Sequence, residues 1–370
     1  MKKHCLLLAS ALLFVLGACD SPLSDASGDA AKAFAAQDYL GSRDLAQAAL
    51  RDDGGNIEAL ELLARAQIAV GEGANALLTL DRLKSAGGKP ADAALLEAEA
   101  RLQAGEGDAV SALLEGADSA EAWRLRALTA SMRDDEAGAA EAFARGRAAQ
   151  GDKLRLYAAE ANWLLDNDNA EAARPVVALA QQAGPTRLET LFVTARLAQS
   201  SSDADATIRA FLAILEIAPF DRPALFGAIA ELGNLGRIDE LRPLVARGVE
   251  AFPGDPEFVF LDARVKAQDG KWEEVRDMLQ QRESELPAHP ETRGLYAEAL
   301  LNLGQPELAR SHIAPLYRQM PDNAQAARVY ARVLLELGDK AEAARVIAPV
   351  AALPGASPED LELAARANRS

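Results

Sequence analysis

Histidine, cysteine and aromatic residues are all scarce in this 370-residue chain, and each shortage removes a class of function. The two cysteines, Cys5 and Cys19, both lie in the first twenty residues, so no disulfide framework braces the rest. Beyond that stretch the histidines are His289 and His312, and neither has a His, Cys or acid at metal-site or triad spacing. Neither G-x-S-x-G nor H-E-x-x-H occurs. "GEGANA" at residues 71–76 fits a loose dinucleotide glycine pattern but sits in a helix–helix turn with no strand before it. "DNDNAE" at residues 166–171 starts like a calcium loop and lacks its central glycine. The expectation is therefore no catalytic residue, no metal, no cofactor and no enzyme. Basic residues are outnumbered 39 to 56, a net charge of −17, which disfavours nucleic acid and broad adhesion to anionic lipid. Solubility accounts for that acidity more simply than a cationic ligand does. At 49% hydrophobic but only 5% aromatic, the composition suits many small helix interfaces better than one bulky core.

What is present is a rhythm. Pro219, Pro253, Pro287 and Pro321 are spaced 34 apart, and so are Gly236, Gly270, Gly304 and Gly338. Such self-similarity is the signature of a repeat array. Phasing on these landmarks gives ten units starting near Leu23, Ile57, Ala91, Ala120, Leu154, Leu188, Arg222, Pro256, Pro290 and Ala324, all of 34 residues except the third, which has 29. Within each unit a stretch of helical periodicity ends at a Gly or polar turn, and a second of about a dozen residues runs to a Pro or Gly. Alanine recurs at the eighth position (Ala64, Ala127, Ala161, Ala195, Ala263, Ala297, Ala331) and the twentieth (Ala76, Ala139, Ala173, Ala309, Ala343), where two helices must approach closely. Four residues after the latter stand Leu80, Phe143, Val177, Ile313 and Ile347, larger apolar side chains suited to the core. Asn56, Asp221, Asp255 and Asn323 are placed to cap the helix that follows each. "SPED" at residues 357–360 starts a closing helix.

These residues resemble the tetratricopeptide repeat: Trp123, Ala127, Ala139 and Phe143 stand at that family's consensus positions in the fourth unit, and Tyr39 and Trp272 open second helices. The resemblance covers residues 23 to about 357. It implies an all-α fold, a right-handed superhelical α-solenoid of about ten helix-turn-helix units, with the array at 28–357 and a capping helix at 358–370. Departures are the short third unit, Thr207 and Leu241 in place of alanine, and the missing turn glycine of the first unit.

At the amino terminus Lys2, Lys3 and His4 precede the apolar run "CLLLASALLFVLG", which is placed like a secretory signal and is short for a membrane span. No later segment reaches the length of a span. Leu16, Gly17, Ala18 and Cys19 resemble a bacterial lipobox, which implies a signal peptide at 1–18, lipid on Cys19 and a tether at 19–27. Loss of Lys2 and Lys3 with that signal would take the net charge from −17 to −19. Several acyl chains, as the resemblance implies, satisfy the rule that one chain anchors only weakly. Asp20 resembles an inner-membrane retention signal of enterobacterial lipoproteins; inner and outer membrane both stay open.

In the repeat family the first helix of each unit lines a concave groove. Phe192, Phe226 and Phe260 share the fifth position of consecutive units, and Arg196 and Arg264 share the ninth with Arg65 and Arg332. An aromatic ladder edged by guanidinium groups suits a peptide with apolar anchors and some acid, and packing against a neighbouring helix is the competing role for those rings. Arg124, Arg155 and Asn162 form a second candidate, loosely similar to the family's carboxylate-clamping versions. The expected function is a lipid-anchored periplasmic scaffold binding envelope proteins through its groove, with exopolysaccharide export the favoured assembly. A pilotin or outer-membrane assembly factor is the alternative, with a carbohydrate binder or cell-wall enzyme behind it.

Overall fold

The structure, a computed structural model, describes residues 26–369, and among them there are helices and turns but no β-strand. Cys19 and the lipobox lie outside the described residues, as do the signal and the start of the tether. The chain divides into two compact units, Met1–Val193 and Thr194–Ser370. The first holds five hairpins: α1 (Ala26–Ala35) with α2 (Tyr39–Asp52), α3 (Ile57–Ala69) with α4 (Gly73–Ser85), α5 (Ala93–Gln103) with α6 (Gly107–Leu113), α7 (Ala120–Ser131) with α8 (Glu136–Ala148), and α9 (Leu154–Asp166) with α10 (Ala170–Ala183). The division falls inside α11 (Leu188–Ser200). The second holds α12 (Ala204–Ile217), the hairpins α13 (Arg222–Asn234) with α14 (Ile238–Ala251), α15 (Pro256–Gln268) with α16 (Trp272–Gln280), α17 (Pro290–Asn302) with α18 (Pro306–Gln319), α19 (Ala324–Glu336) with α20 (Lys340–Ala351), and the closing α21 (Pro358–Asn368). No helix among the described residues is long and apolar enough to cross a membrane.

The local chemistry explains the period. At the fifteenth position of every unit the backbone takes a positive φ, which turns the first helix into the second. Glycine adopts that conformation without steric cost and fills it six times, at Gly71, Gly105, Gly236, Gly270, Gly304 and Gly338. Gln37, Asp134, Asp168 and Ser202 take the same conformation in the other four units, so the turn survives where glycine is absent. The next residue then caps the second helix: Asp38, Asp135, Asn169, Asp203 and Asp339 each accept a backbone N–H through the side chain. Asn56, Asp221, Asp255 and Asn323 cap first helices as the sequence predicts.

Packing follows the same positions. The alanines at positions eight and twenty are all fully buried, letting paired helices close up. Phe143, Val177, Ile313 and Ile347 are buried against them, each contributing roughly 1.5–3 kcal/mol. Glycine takes over where a ring needs the space: a methyl on Gly248 of α14 would stand 2.0 Å from the buried Phe258.

Two second helices are short. The 29-residue third unit predicts the first of them, α6, and Arg126 of α7 donates to the carbonyls of Leu114 (2.6 Å) and Ala117 (2.7 Å) just beyond its end. α16 stops at Gln280 inside a full-length unit, followed by turns and a 3₁₀ segment, Leu286–Ala288. A helix continued to residue 285 would put Glu283 and Glu285 in its last turn, against the negative end of the dipole. Glu283 instead lies 3.5 Å from His312 of α18, a pairing the sequence spacing does not reveal. Burial lowers the His312 pKa from the usual imidazole value, against the opposing charge of Glu283.

The last helix closes the second unit. Ser357 and Asp360 form a reciprocal capping box, and Asp360, fully buried, also accepts from Arg328 of α19 at 2.5 and 3.0 Å.

Candidate binding groove

Four first helices, α13, α15, α17 and α19, contribute side chains to one open cavity of about 1100 Å³ in the second unit. That exceeds the roughly 300–1000 Å³ of common small-molecule pockets, so the space suits a chain segment. The sequence-predicted Phe226, Phe260 and Arg264 all line it. Phe226 is half-buried; its ring stacks on Phe258 with centroids 4.3 Å apart, and the Arg222 guanidinium lies 4.5 Å from its centroid. Groove lining and core packing are thus both true of Phe226. Phe260 is half-buried with no ring partner among the described residues, and Arg264 lies over it at 5.6 Å. Phe192 and Arg196 are half-buried on α11, Phe192 in the first unit and Arg196 in the second.

The charges around the cavity are largely matched within the protein. Arg222 holds Asp255 at 3.0 Å and Glu257 at 2.8 Å, and Arg332 holds Glu298 at 2.9 Å. Arg264 and Glu291 line the same cavity, are exposed, and make no ion pair among the described residues. Sequence reasoning found the phenylalanines and missed the floor: Ile313 and Leu316 of α18 and Val329 of α19 reach the cavity over Gly294. Glycine at the fifth position, where the two preceding units carry phenylalanine, was the available signal.

The first unit uses its inner positions differently. Arg124, fully buried on α7, binds Glu99 at 2.9 Å and Glu121 at 2.7 Å, and Arg155 of α9 binds both carboxylates, Glu121 at 2.7 Å. Burial opposes the charge on Arg124, but Glu99 and Glu121 outweigh it and hold its pKa above the usual guanidinium value. Burial likewise works to raise Glu121, and Arg124 followed by Arg155 holds it below the usual carboxylate range. Arg124 and Arg155, the residues the sequence offers as a carboxylate clamp, are both paired with the protein's own Glu99 and Glu121. Asn162 is half-buried on α9. Farther out, Gln37 donates to the Thr186 carbonyl (3.2 Å) and accepts from the Leu188 N–H (3.0 Å), tying the first turn of this unit to the start of α11.

Comparison with known proteins adds fold-level likenesses. No family model and no curated protein matches the chain. Among solved structures it is similar to a tetratricopeptide repeat protein from Parabacteroides merdae, with 14% identity over 68% of this chain and 99% of that one and a TM-score of 0.46. It is also similar to yeast Tom70, with 13% identity over 92% of this chain and 87% of that one and a TM-score of 0.38. A third is the tetratricopeptide domain of P58(IPK), with 15% identity, 92% and 96% coverage and a TM-score of 0.31. Among the described residues no three His, Cys, Asp or Glu side chains are grouped to hold a metal.

Proposed function

We propose that this chain is a lipid-anchored periplasmic scaffold that holds a segment of a partner protein in the groove of its second unit, within a cell-envelope assembly. The observation that carries this reading is the open apolar cavity over α13, α15, α17 and α19, where Phe226 and Phe260 present half-buried rings and Arg264 makes no ion pair among the described residues. Half-buried aromatic anchors beside an unspent guanidinium are the composition of protein-binding hot spots. The lipobox-like Leu16–Gly17–Ala18–Cys19 supports the anchor, and the ten-unit length favours exopolysaccharide export among envelope assemblies. The test is a photo-crosslinking residue at Ala230, on the cavity wall, in the native envelope, with crosslinked proteins identified by mass spectrometry. Phe260→Ala should remove the dominant crosslinked partner while the melting temperature stays close to that of the parent. An unchanged crosslinking pattern in Phe260→Ala refutes the groove as the partner site.

A further inference from the structure

The fifth position of the first helix reads Phe226, Phe260 and then Gly294, and nothing in the fold requires that glycine. Gly294 lies inside α17 with no positive φ, and glycine in a helix interior is less stable than alanine. A methyl added there would meet only Leu316 Cδ2, at 3.6 Å, an ordinary van der Waals contact. Contrast Gly227 and Gly248, where the same methyl would stand 2.3 Å from Phe211 and 2.0 Å from Phe258. Those glycines make room for side chains of this protein. Gly294 makes room that no side chain among the described residues fills, and it opens into the cavity over Leu316 and Val329 beside Phe260.

The free charges bracket that space. Arg264 stands at the ninth position of α15 and Glu291 at the second of α17, seven positions apart in the repeat register. At ~1.5 Å per residue this is an offset of about 10 Å along the helix direction, with the fifth position between them. The remaining charges on the cavity wall, Glu257 and Glu298, are neutralised by Arg222 and Arg332. A partner that leaves Arg264 and Glu291 unmatched would desolvate each at a cost, and one that matches both sets its own direction in the groove.

We propose that the space over Gly294 is an anchor site for one bulky apolar side chain of a partner peptide that carries an acid on the Arg264 side and a base on the Glu291 side. The inference rests on the groove reading above and specifies its ligand. Peptides are selected from a displayed library of random 12-mers on the full chain, resynthesised, and titrated by fluorescence anisotropy against the parent and single variants. Selected sequences should share a Phe, Trp, Leu or Met with an acid to one side and a base to the other. Gly294→Leu, which fills the space from the protein's side, should weaken them by roughly tenfold or more. Gly294→Ala, which fits without displacement, should weaken them a few-fold and decides the matter if the leucine variant folds poorly. Arg264→Glu should shift preference toward peptides with lysine in place of the acid. Selected peptides that bind Gly294→Leu and Arg264→Glu like the parent overturn this inference and leave the groove reading standing. Failure to enrich any peptide overturns both.

Discussion

Two helix-interior glycines of the second unit should respond to the same substitution with opposite signs. Gly294→Ala exchanges a poor helix former for the best one, and its new methyl meets Leu316 at an ordinary 3.6 Å. It should stabilise by about 0.5–1 kcal/mol, the usual difference between the two residues in a helix interior. Gly248→Ala makes the same gain in propensity but puts its methyl 2.0 Å from Cε1 and 2.3 Å from Cδ1 of Phe258. That ring has no room to yield, since it is fully buried between Phe252 at 5.6 Å and Phe226 at 4.3 Å. Overpacking of this kind costs about 1–3 kcal/mol, so after the propensity gain the net effect is a loss of up to about 2.5 kcal/mol. For a unit of this size each kcal/mol moves the melting temperature by roughly 2–4 °C, which puts the two variants several degrees apart. Stacked repeats couple mainly to their neighbours, so thermal melts should be paired with hydrogen exchange. Protection should fall in α14 and α15 for Gly248→Ala and rise in α17 for Gly294→Ala. If Gly294→Ala melts below the parent, the claim that nothing in the fold needs that glycine is wrong.

Glu99→Ala takes one of two carboxylates from the buried Arg124 and one from Arg155, and should cost about 2–4 kcal/mol, read as lost exchange protection in α5, α7 and α9. Glu99→Gln should recover part of that loss, and a variant as stable as the parent refutes the network's role. Gly338→Ala forces an alanine into a φ of 82° and should destabilise the last hairpin by about 1 kcal/mol or more, measured by the same exchange experiment on α19 and α20. Arg328, followed by Ser357, holds the Asp360 carboxyl well below the usual carboxylate range against the opposing effect of burial. A carboxyl depressed by folding contributes fully above its unfolded value of about 3.9 and loses that contribution as the pH falls below it. Exchange in α21 should therefore quicken below about pH 4 in the parent, while Asp360→Asn should be fast already at pH 7 with a flatter acid dependence. Cys19→Ser should abolish metabolic labelling with palmitate, and a variant that still labels removes the anchor from the proposed function.

The period was legible because it is written in local chemistry. A left-handed turn every unit selects glycine, a free helix end selects Asp or Asn, and close helix contact selects alanine, so each leaves its mark at a fixed position. The end of α16 was hidden because its unit keeps the full 34 residues, and only the placement of Glu283 and Glu285 speaks against helix there. Arg124 looked available for a ligand because its partner Glu99 is 25 residues away in the preceding unit, and only packing brings the two together. Gln37 illustrates the limit further: its partners Thr186 and Leu188 lie about 150 residues on, beyond any local pattern. The phenylalanines share one column of the repeat, the fifth position of consecutive units, and Gly294 stands next in that same column.

That column carries the functional argument. Positions eight and twenty mostly hold the small residues of close helix contact, whereas the fifth position holds Arg124, Phe226, Phe260, Gly294 and Arg328 in different units. In the first unit the arginine is taken inside and neutralised by Glu99 and Glu121, so its charge serves the fold. At the other end Arg328 reaches the closing helix and binds Asp360, which serves the fold again. Between these uses stand two rings and a gap, backed by Arg264, which has no carboxylate partner among the described residues. A helix interior that accepts glycine without a packing reason is less stable than it could be, and on the proposal above that shortfall leaves room for a partner's side chain. The same reasoning places specificity in the contrast between adjacent units rather than in the repeat itself, because residues common to every unit cannot tell one partner from another.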